Sequence, residues 1–497
     1  VDAKRATAIA GGLAALAGLR VLVFALAFPF FNQVDEHQHV DSVVRYARGQ
    51  LPGPTMRGLD PRVSLWALEF GTFEYLSPGP AIPLPYLARP GASLRDPLVR
   101  KANQAFLGVP NTEHDSPPVY FSVAALWLIA GEGLGLDDAP LLYWLRALNA
   151  VVLSGLVMAS FFALRGMFPG RPALFLGVPT LLAFFPQDCL FGVTTDGMAI
   201  ATGGAAFLGI AWLTTRPEPA RARAYAWVGL AVAAAFLTKY TSVFLVAGAA
   251  AVAWSEWRRA TSRPPPGFAA RWGAWSAAAA GPVALWMARN RVVLGDWTGT
   301  ARKVAHLEWT NRPFGEWTQH PLFSISGVAE FVGGLAPRFW RGEFLWHGEE
   351  MSWPALDAVY TTVTLVCVGV VLVGCARAVF GDRRGPSPDC RVDGPALLCV
   401  VGAFATLALL SVRFQFADWG TPTADHPYFI HGRLISGAVL PCCWLVVRAL
   451  ERGVSRLPGR LGQRVFWGVL LAWIVAMTAS EWAINAPVFA SPYNAFG

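Results

Sequence analysis

Long apolar runs, broken by short arginine-bearing stretches, set the pattern of this chain. Runs near 7–30, 142–165, 172–190, 196–214, 224–238, 241–256, 271–289, 355–377, 394–412, 432–450 and 465–484 predict about eleven membrane helices. Most approach the roughly 20 residues that cross a bilayer. The stretches bearing Arg165 and Arg171, Arg216 to Arg223, Arg258 to Arg271, Arg383 to Arg391 and Arg452 to Arg464 then all fall on the cytoplasmic side, together with the amino terminus. The run PPVYFSVAALWLIAGEGLGL from Pro117 is apolar but short and meets Glu132. Counted as a crossing, it would invert every later arginine-rich stretch, so it predicts a helix lying in, or dipping into, the outer leaflet. The two short runs around LTKYTS predict a hairpin that returns inside.

Two long segments, 32–141 and 290–354, are left on the extracytoplasmic side. In the first, LPGPTMRG, LSPGPAIPLP and ARPGAS mark turns between short helices. The opening run, Ala6 to Phe31, follows Lys4 and Arg5 and shows no small-x-small cleavage motif before the DEHQH cluster, which predicts a retained anchor.

Composition agrees with this layout. The 497 residues are 54% hydrophobic and only 14% charged, against roughly a quarter charged in soluble domains. An all-α polytopic membrane protein, one membrane-embedded unit over 1–497, is the expected fold class. The net charge of +8 resides mainly in the short arginine stretches; no basic face interleaves with exposed aromatics, which argues against nucleic acid as a partner. The seven cysteines lie mostly in apolar runs without CxxC spacing and are expected to pack rather than to form disulfides or bind metal.

Candidate chemistry starts at FNQVDEHQHVDSVVRYARGQLP, residues 31–52. Read as a helix, it places Val40, Val43, Val44 and Ala47 on one stripe with Asp41, Arg45 and Arg48 facing away. Asp41 and Arg45 form an i,i+4 pair, expected at the surface and worth a few tenths of a kcal/mol. Asp35 and Glu36 stand before the stripe, at the membrane boundary. There a partly desolvated carboxylate can accept a proton or hold a divalent cation. The plainer reading is that these acids simply cap the helix. As metal ligands, Asp35 and His39 lack an evident third partner nearby.

Other polar residues are predicted at the same outer level: Glu113, His114 and Asp115 before PPVYF, Asp196 after Thr194 and Thr195, Lys239 with Tyr240, Arg289 with Asn290, and His431 with Arg433. Each alone reads as a boundary residue; together they predict a ring around one outward-facing cavity. Arg20, near the middle of the first helix, is expected either to line a groove or to snorkel.

In this order and topology, VDEHQHVDSVVRYARGQLP, HDSPPVYFSVAAL, TTDGMAIATGGAAFL, FLTKYTSVFL, RNRVVLGDWTG and HGRLISGAVLP resemble the segments of GT-C class membrane glycosyltransferases. That class includes protein O-mannosyltransferases and lipid A aminoarabinose transferases. The resemblance implies transfer of sugar from a polyprenyl-phosphate donor to a hydroxyl of a lipid, glycan or protein acceptor, at the outer face of a bacterial plasma membrane. It implies Asp35 as base, with Glu36 positioning it, sharing a metal with it or binding a sugar hydroxyl. Lys239, Arg289 and Arg433 become phosphate ligands, and His39, Glu113, His114 and Asp196 further substrate contacts. Trp340, Trp346 and Trp353 are candidate sugar platforms. Parts of the class depend on a divalent cation, which keeps His37, His39 and His114 open as ligands. Departures are Leu434, where relatives often carry an aromatic residue, and the lack of a large soluble carboxy-terminal domain. The rival reading is a transporter or flippase of a lipid-linked or anionic substrate; such proteins tend to show internal repeats and midplane polar sites, and no repeat stands out here. A membrane metallohydrolase would need a closed ligand set such as HExxH, which is missing.

Overall fold

A computed structural model describes residues 2–33, 35–55, 58–77, 84–108, 110–259, 264–380 and 388–496. Val34, Met56 and Arg57 of the first turn motif, most of LSPGPAIPLP, residues 260–263 and the arginine pair at 383–384 lie outside them.

The described chain is mostly helical. It runs α1 (Ala3–Ala27), α2 (Glu36–Ala47), α3 (Pro61–Phe70), α4 (Pro97–Gly108), α5 (Pro118–Gly133), α6 (Asp138–Met167), α7 (Pro172–Phe175), α8 (Gly177–Ala183), α9 (Thr195–Thr215), α10 (Ala222–Thr238), α11 (Leu245–Arg259), α12 (Phe268–Leu294), α13 (Ala301–His306), α14 (Ile325–Arg341), α15 (Pro354–Phe380), α16 (Pro388–Arg413), α17 (Val439–Val454) and α18 (Gly459–Phe489). Strand pairing among the described residues is confined to two-residue ladders, 310–311 with 414–415 and 345–346 with 349–350. Seven helical segments are long and apolar enough to cross a membrane: α1, α6, α9, Pro354–Arg377, Arg391–Arg413, Gly432–Val454 and α18. The protein is an all-α integral membrane protein.

The run at 172–190 departs from expectation, because it is not one helix. Pro179 cannot donate to the carbonyl four residues back, so the helix breaks at Leu176 and restarts with Pro179 inside a first turn, where the missing N–H has no consequence. It stops again before Pro186, as the residue preceding proline avoids helical torsions.

Arg20 neither lines a groove nor snorkels. Its guanidinium pairs with Glu481 of α18 at 2.6 Å and donates to the Phe185 carbonyl at 2.7 Å. One buried cation thus ties α1, α18 and the free carbonyls after α8 together, satisfying polar groups that lipid could not. Close helix approach relies on small residues. A Cβ on Gly203 of α9 would lie 2.5 Å from the Gly437 carbonyl, so this glycine lets the turn at 432–438 sit directly against α9. That contact fixes the level of Arg433.

Candidate functional site

The helix that follows α1, α2, is anchored by a residue expected to do chemistry. Glu36 is 1% exposed, and both its oxygens are engaged. Arg146 of α6 grips it with Nε and Nη2, each at 2.8 Å, while the N–H groups of Phe31 and Val193 donate at 2.9 and 3.0 Å. Arg146 also caps the end of α1 through the carbonyls of Ala25, Phe28 and Pro29. Glu36 is therefore a buried clasp between α1, α2, α6 and the start of α9. Neither a metal nor a sugar hydroxyl has access to its oxygens.

The same burial revises the Asp41–Arg45 pair. The two meet at 2.8 Å as expected, but Asp41 is fully buried. Asn111 donates to it at 2.7 Å and the Asp60 N–H at 2.5 Å, because the segments after α2 and before α5 fold over the face predicted to be wet.

Asp35 is placed differently. It adopts a left-handed backbone, φ 64° and ψ 6°, a conformation that aspartate tolerates better than most residues. Its carbonyl accepts the N–H groups of Gln38 and His39 at 2.9 and 3.0 Å, which starts α2. Its half-buried carboxylate meets no hydrogen-bond or ion-pair partner among the described residues. It acts electrostatically on His39, Lys303, Arg433 and Tyr75.

Around it stand most of the residues the sequence singled out. Glu113 is paired with Lys303 of α13, and Lys239 with Asp196 at the start of α9. The Lys239 ammonium also lies 3.4 Å from the Arg433 carbonyl, and Ser436 donates to the Asp196 carbonyl at 3.0 Å. Arg433 is paired with Glu343 at 2.7 Å, and the Glu343 N–H donates to Asp188 at 2.8 Å. Gly342 makes this possible: its φ is 88°, and a Cβ there would collide with the Asp188 carboxylate. Burial pushes the His39 imidazole down to about 4 against the pull of Glu113 and Asp35, so it is neutral at physiological pH. Burial opposes the charge on Glu113 as well, but Lys303 outweighs it and holds the carboxyl well below the usual range.

His39, Glu113, Asp196, Lys239 and Arg433 thus converge near Asp35, joined by Lys303, Glu343 and Asp188, which sequence reasoning did not name. Asp188 carried a usable signal: a carboxylate inside an apolar run asks for a functional explanation. Lys303 and Glu343 carried none, since both lie in ordinary polar loop sequence.

Arg289 and His114 belong to a second, adjoining cluster. Arg289 donates to the Pro52 carbonyl and, at 3.1 Å, to Asn290 Oδ1, with its guanidinium over Trp286. Arg302 pairs with Asp115 at 2.6 Å and reaches the Gly53 carbonyl at 3.1 Å. His114 stands edge-on to Tyr46 with ring centroids 5.8 Å apart. Burial, then the field of Arg45, lowers His114 to about 4, and burial raises Asp115 to about 6 despite Arg302. The three expected phosphate cations therefore divide, with Lys239 and Arg433 in one group and Arg289 in the other.

Two of the expected sugar platforms are core residues. Trp340 stacks on Tyr360 and Phe185 and donates to Thr364 at 2.9 Å, and Trp346 packs on Phe344. Trp353 is exposed. His37, His39 and His114 do not assemble into a ligand set: among the described residues no three His, Cys, Asp or Glu side chains are placed to hold a metal ion.

No curated protein matches the chain. The family described as "Predicted membrane protein (DUF2142)" matches residues 19–437, a span that contains both polar clusters and the turn carrying Arg433. The chain belongs to this DUF2142 family of membrane proteins.

Proposed function

We propose that the protein transfers a glycosyl group from a polyprenyl-phosphate-linked sugar to an acceptor hydroxyl at the extracytoplasmic face, with Asp35 as the base. The observation that carries this reading is the Asp35 carboxylate itself: half-buried and, among the described residues, unpartnered, amid three charged pairs whose members neutralise one another. A base must be free to accept a proton, and a carboxylate already gripped by a cation is a poor one. The reaction needs little else from the protein. As the acceptor oxygen attacks the anomeric carbon with inversion, its proton passes to Asp35 and the bond to the phosphate oxygen breaks. Polyprenyl phosphate departs without needing a proton. Charge accumulating on that phosphate calls for fixed cations; Arg433 and Lys303 lie in the field of the base and Lys239 lies against Arg433. On the reading of eleven crossings, with the arginine-rich stretches on the cytoplasmic side of a bacterial plasma membrane, the donor's headgroup would lie at the level of Asp35.

The test is transfer or hydrolysis of labelled sugar from a panel of polyprenyl-phosphate donors by purified protein. Turnover of one donor supports the reading; a folded protein that neither turns over nor binds any of them refutes it. Within that assay Arg433→Lys is expected to raise the donor KM about tenfold, since a single ammonium replaces a planar fork that can both hold Glu343 and bind phosphate. An unchanged KM would remove Arg433 from the donor site.

A further inference from the structure

The cluster formed by the end of α2, the turn at 113–115, the start of α13 and the carboxy-terminal end of α12 plays no part in the chemistry at Asp35, yet it holds buried polar atoms left over. Tyr46 Oη, His114 Nδ1, Asp115 Oδ2 and Arg302 Nε are each closed off within the protein and meet no hydrogen-bond partner among the described residues. Tyr46 is 9% exposed and Asp115 5%. Buried polar atoms are nearly always paired, and each exception calls for an explanation. Here four unpaired atoms from three separated segments meet in one place.

Charge adds a second observation. Arg302 is matched by Asp115 and Arg45 by Asp41, whereas Arg289, half-buried beside them, bonds among the described residues only a backbone carbonyl and an amide oxygen. Its guanidinium meets no carboxylate among the described residues. A ligand completing this cluster therefore offers hydroxyls and acceptor oxygens to the phenol, imidazole and carboxylate, and one oxyanion to Arg289.

The two clusters are neighbours. Glu113 and Lys303 face Asp35, while Asp115 and Arg302, next in the chain or nearly so, face Arg289. Along α2, His39 and Tyr46 stand seven positions apart, a rise of roughly 10 Å. We propose that this second cluster is the acceptor subsite, and that it recognises a polyhydroxylated acceptor carrying a phosphate or carboxylate at a point remote from the reacting hydroxyl. This rests on the glycosyl-transfer reading for the word acceptor, but the binding it requires is measurable without transfer.

The experiment compares glucose, glucose 6-phosphate and phosphatidylglycerol as probes on purified full-length protein in neutral detergent, with polyprenyl phosphate as the donor-side control. Wild type is expected to bind glucose 6-phosphate at least tenfold more tightly than glucose. Arg289→Gln is expected to erase that preference while keeping wild-type affinity for polyprenyl phosphate. Tyr46→Phe, which removes one oxygen and keeps the ring, should weaken glucose 6-phosphate several-fold and serves if the arginine variant does not fold. Equal binding of glucose and glucose 6-phosphate by wild type overturns the proposal. So does a loss of polyprenyl phosphate in Arg289→Gln as large as the loss of sugar phosphate, which would return Arg289 to the donor. Displacement of the sugar phosphate by phosphatidylglycerol at lower concentration would make the cluster a lipid headgroup site instead. Failure of every donor in the transfer assay, with the sugar-phosphate preference intact, would leave the oxyanion subsite standing and refute only the transferase reading.

Discussion

Asp35→Asn is expected to lower sugar transfer by about 10²–10⁴-fold, the range that a positioned general base contributes, with little change in donor affinity. The substitution is nearly isosteric, and the parent carboxylate has no hydrogen bond to lose among the described residues. Asparagine also tolerates the left-handed backbone at this position, φ 64°. Folding should therefore survive, and a thermal melt near the wild-type value checks that it does. The asparagine amide cannot take a proton from the acceptor, so the defect should appear in kcat rather than in KM. A folded Asp35→Asn protein with full turnover would show that the proton goes elsewhere, and Asp188, beside Glu343, would be the next carboxylate to replace.

Glu36→Ala should fail for an entirely different reason. The Arg146 guanidinium is 1% exposed and bonds Glu36 through two nitrogens. Removing the carboxylate leaves a buried cation uncompensated, and such changes cost about 3–5 kcal/mol. The N–H groups of Phe31 and Val193 lose their acceptor at the same time. The expected result is a large drop in melting temperature with loss of α2 from its place, so activity falls only as far as folded protein is lost. The double variant Glu36→Leu with Arg146→Met removes both charges and is expected to be less destabilised than Glu36→Ala alone, because no unpaired ion remains. A Glu36→Ala protein that melts normally but transfers no sugar would restore Glu36 to the catalytic set. Adjacent acids in one motif thus separate into a base and a clasp, and the pair of variants distinguishes them by readout as well as by size.

The division between Asp35 and Glu36 also marks how far sequence reaches. Both read alike in FNQVDEHQHVDS, as carboxylates at the mouth of a helix. Which one is free depends on Arg146, 110 positions away on α6. The same holds for Arg20, whose partner Glu481 is 461 positions distant, and for Arg433, whose partner Glu343 lies in unremarkable loop sequence. No local pattern encodes such pairings.

What the sequence determined by itself is the solvent each segment prefers. Apolar runs of bilayer length, arginines gathered between them and a charged segment after α1 are local properties, since transfer of side chains from water to lipid is decided residue by residue. These were enough for the all-α membrane class and for singling out His39, Glu113, Lys239 and Arg433, though not for the break inside 172–190. Tertiary structure alone decided which charges cancel. A buried ion is tolerable only beside its counter-ion, and that partner is fixed by packing between distant helices, so only the folded chain shows that, among the described residues, Asp35 has neither a hydrogen bond nor an ion pair and Arg289 has no carboxylate partner.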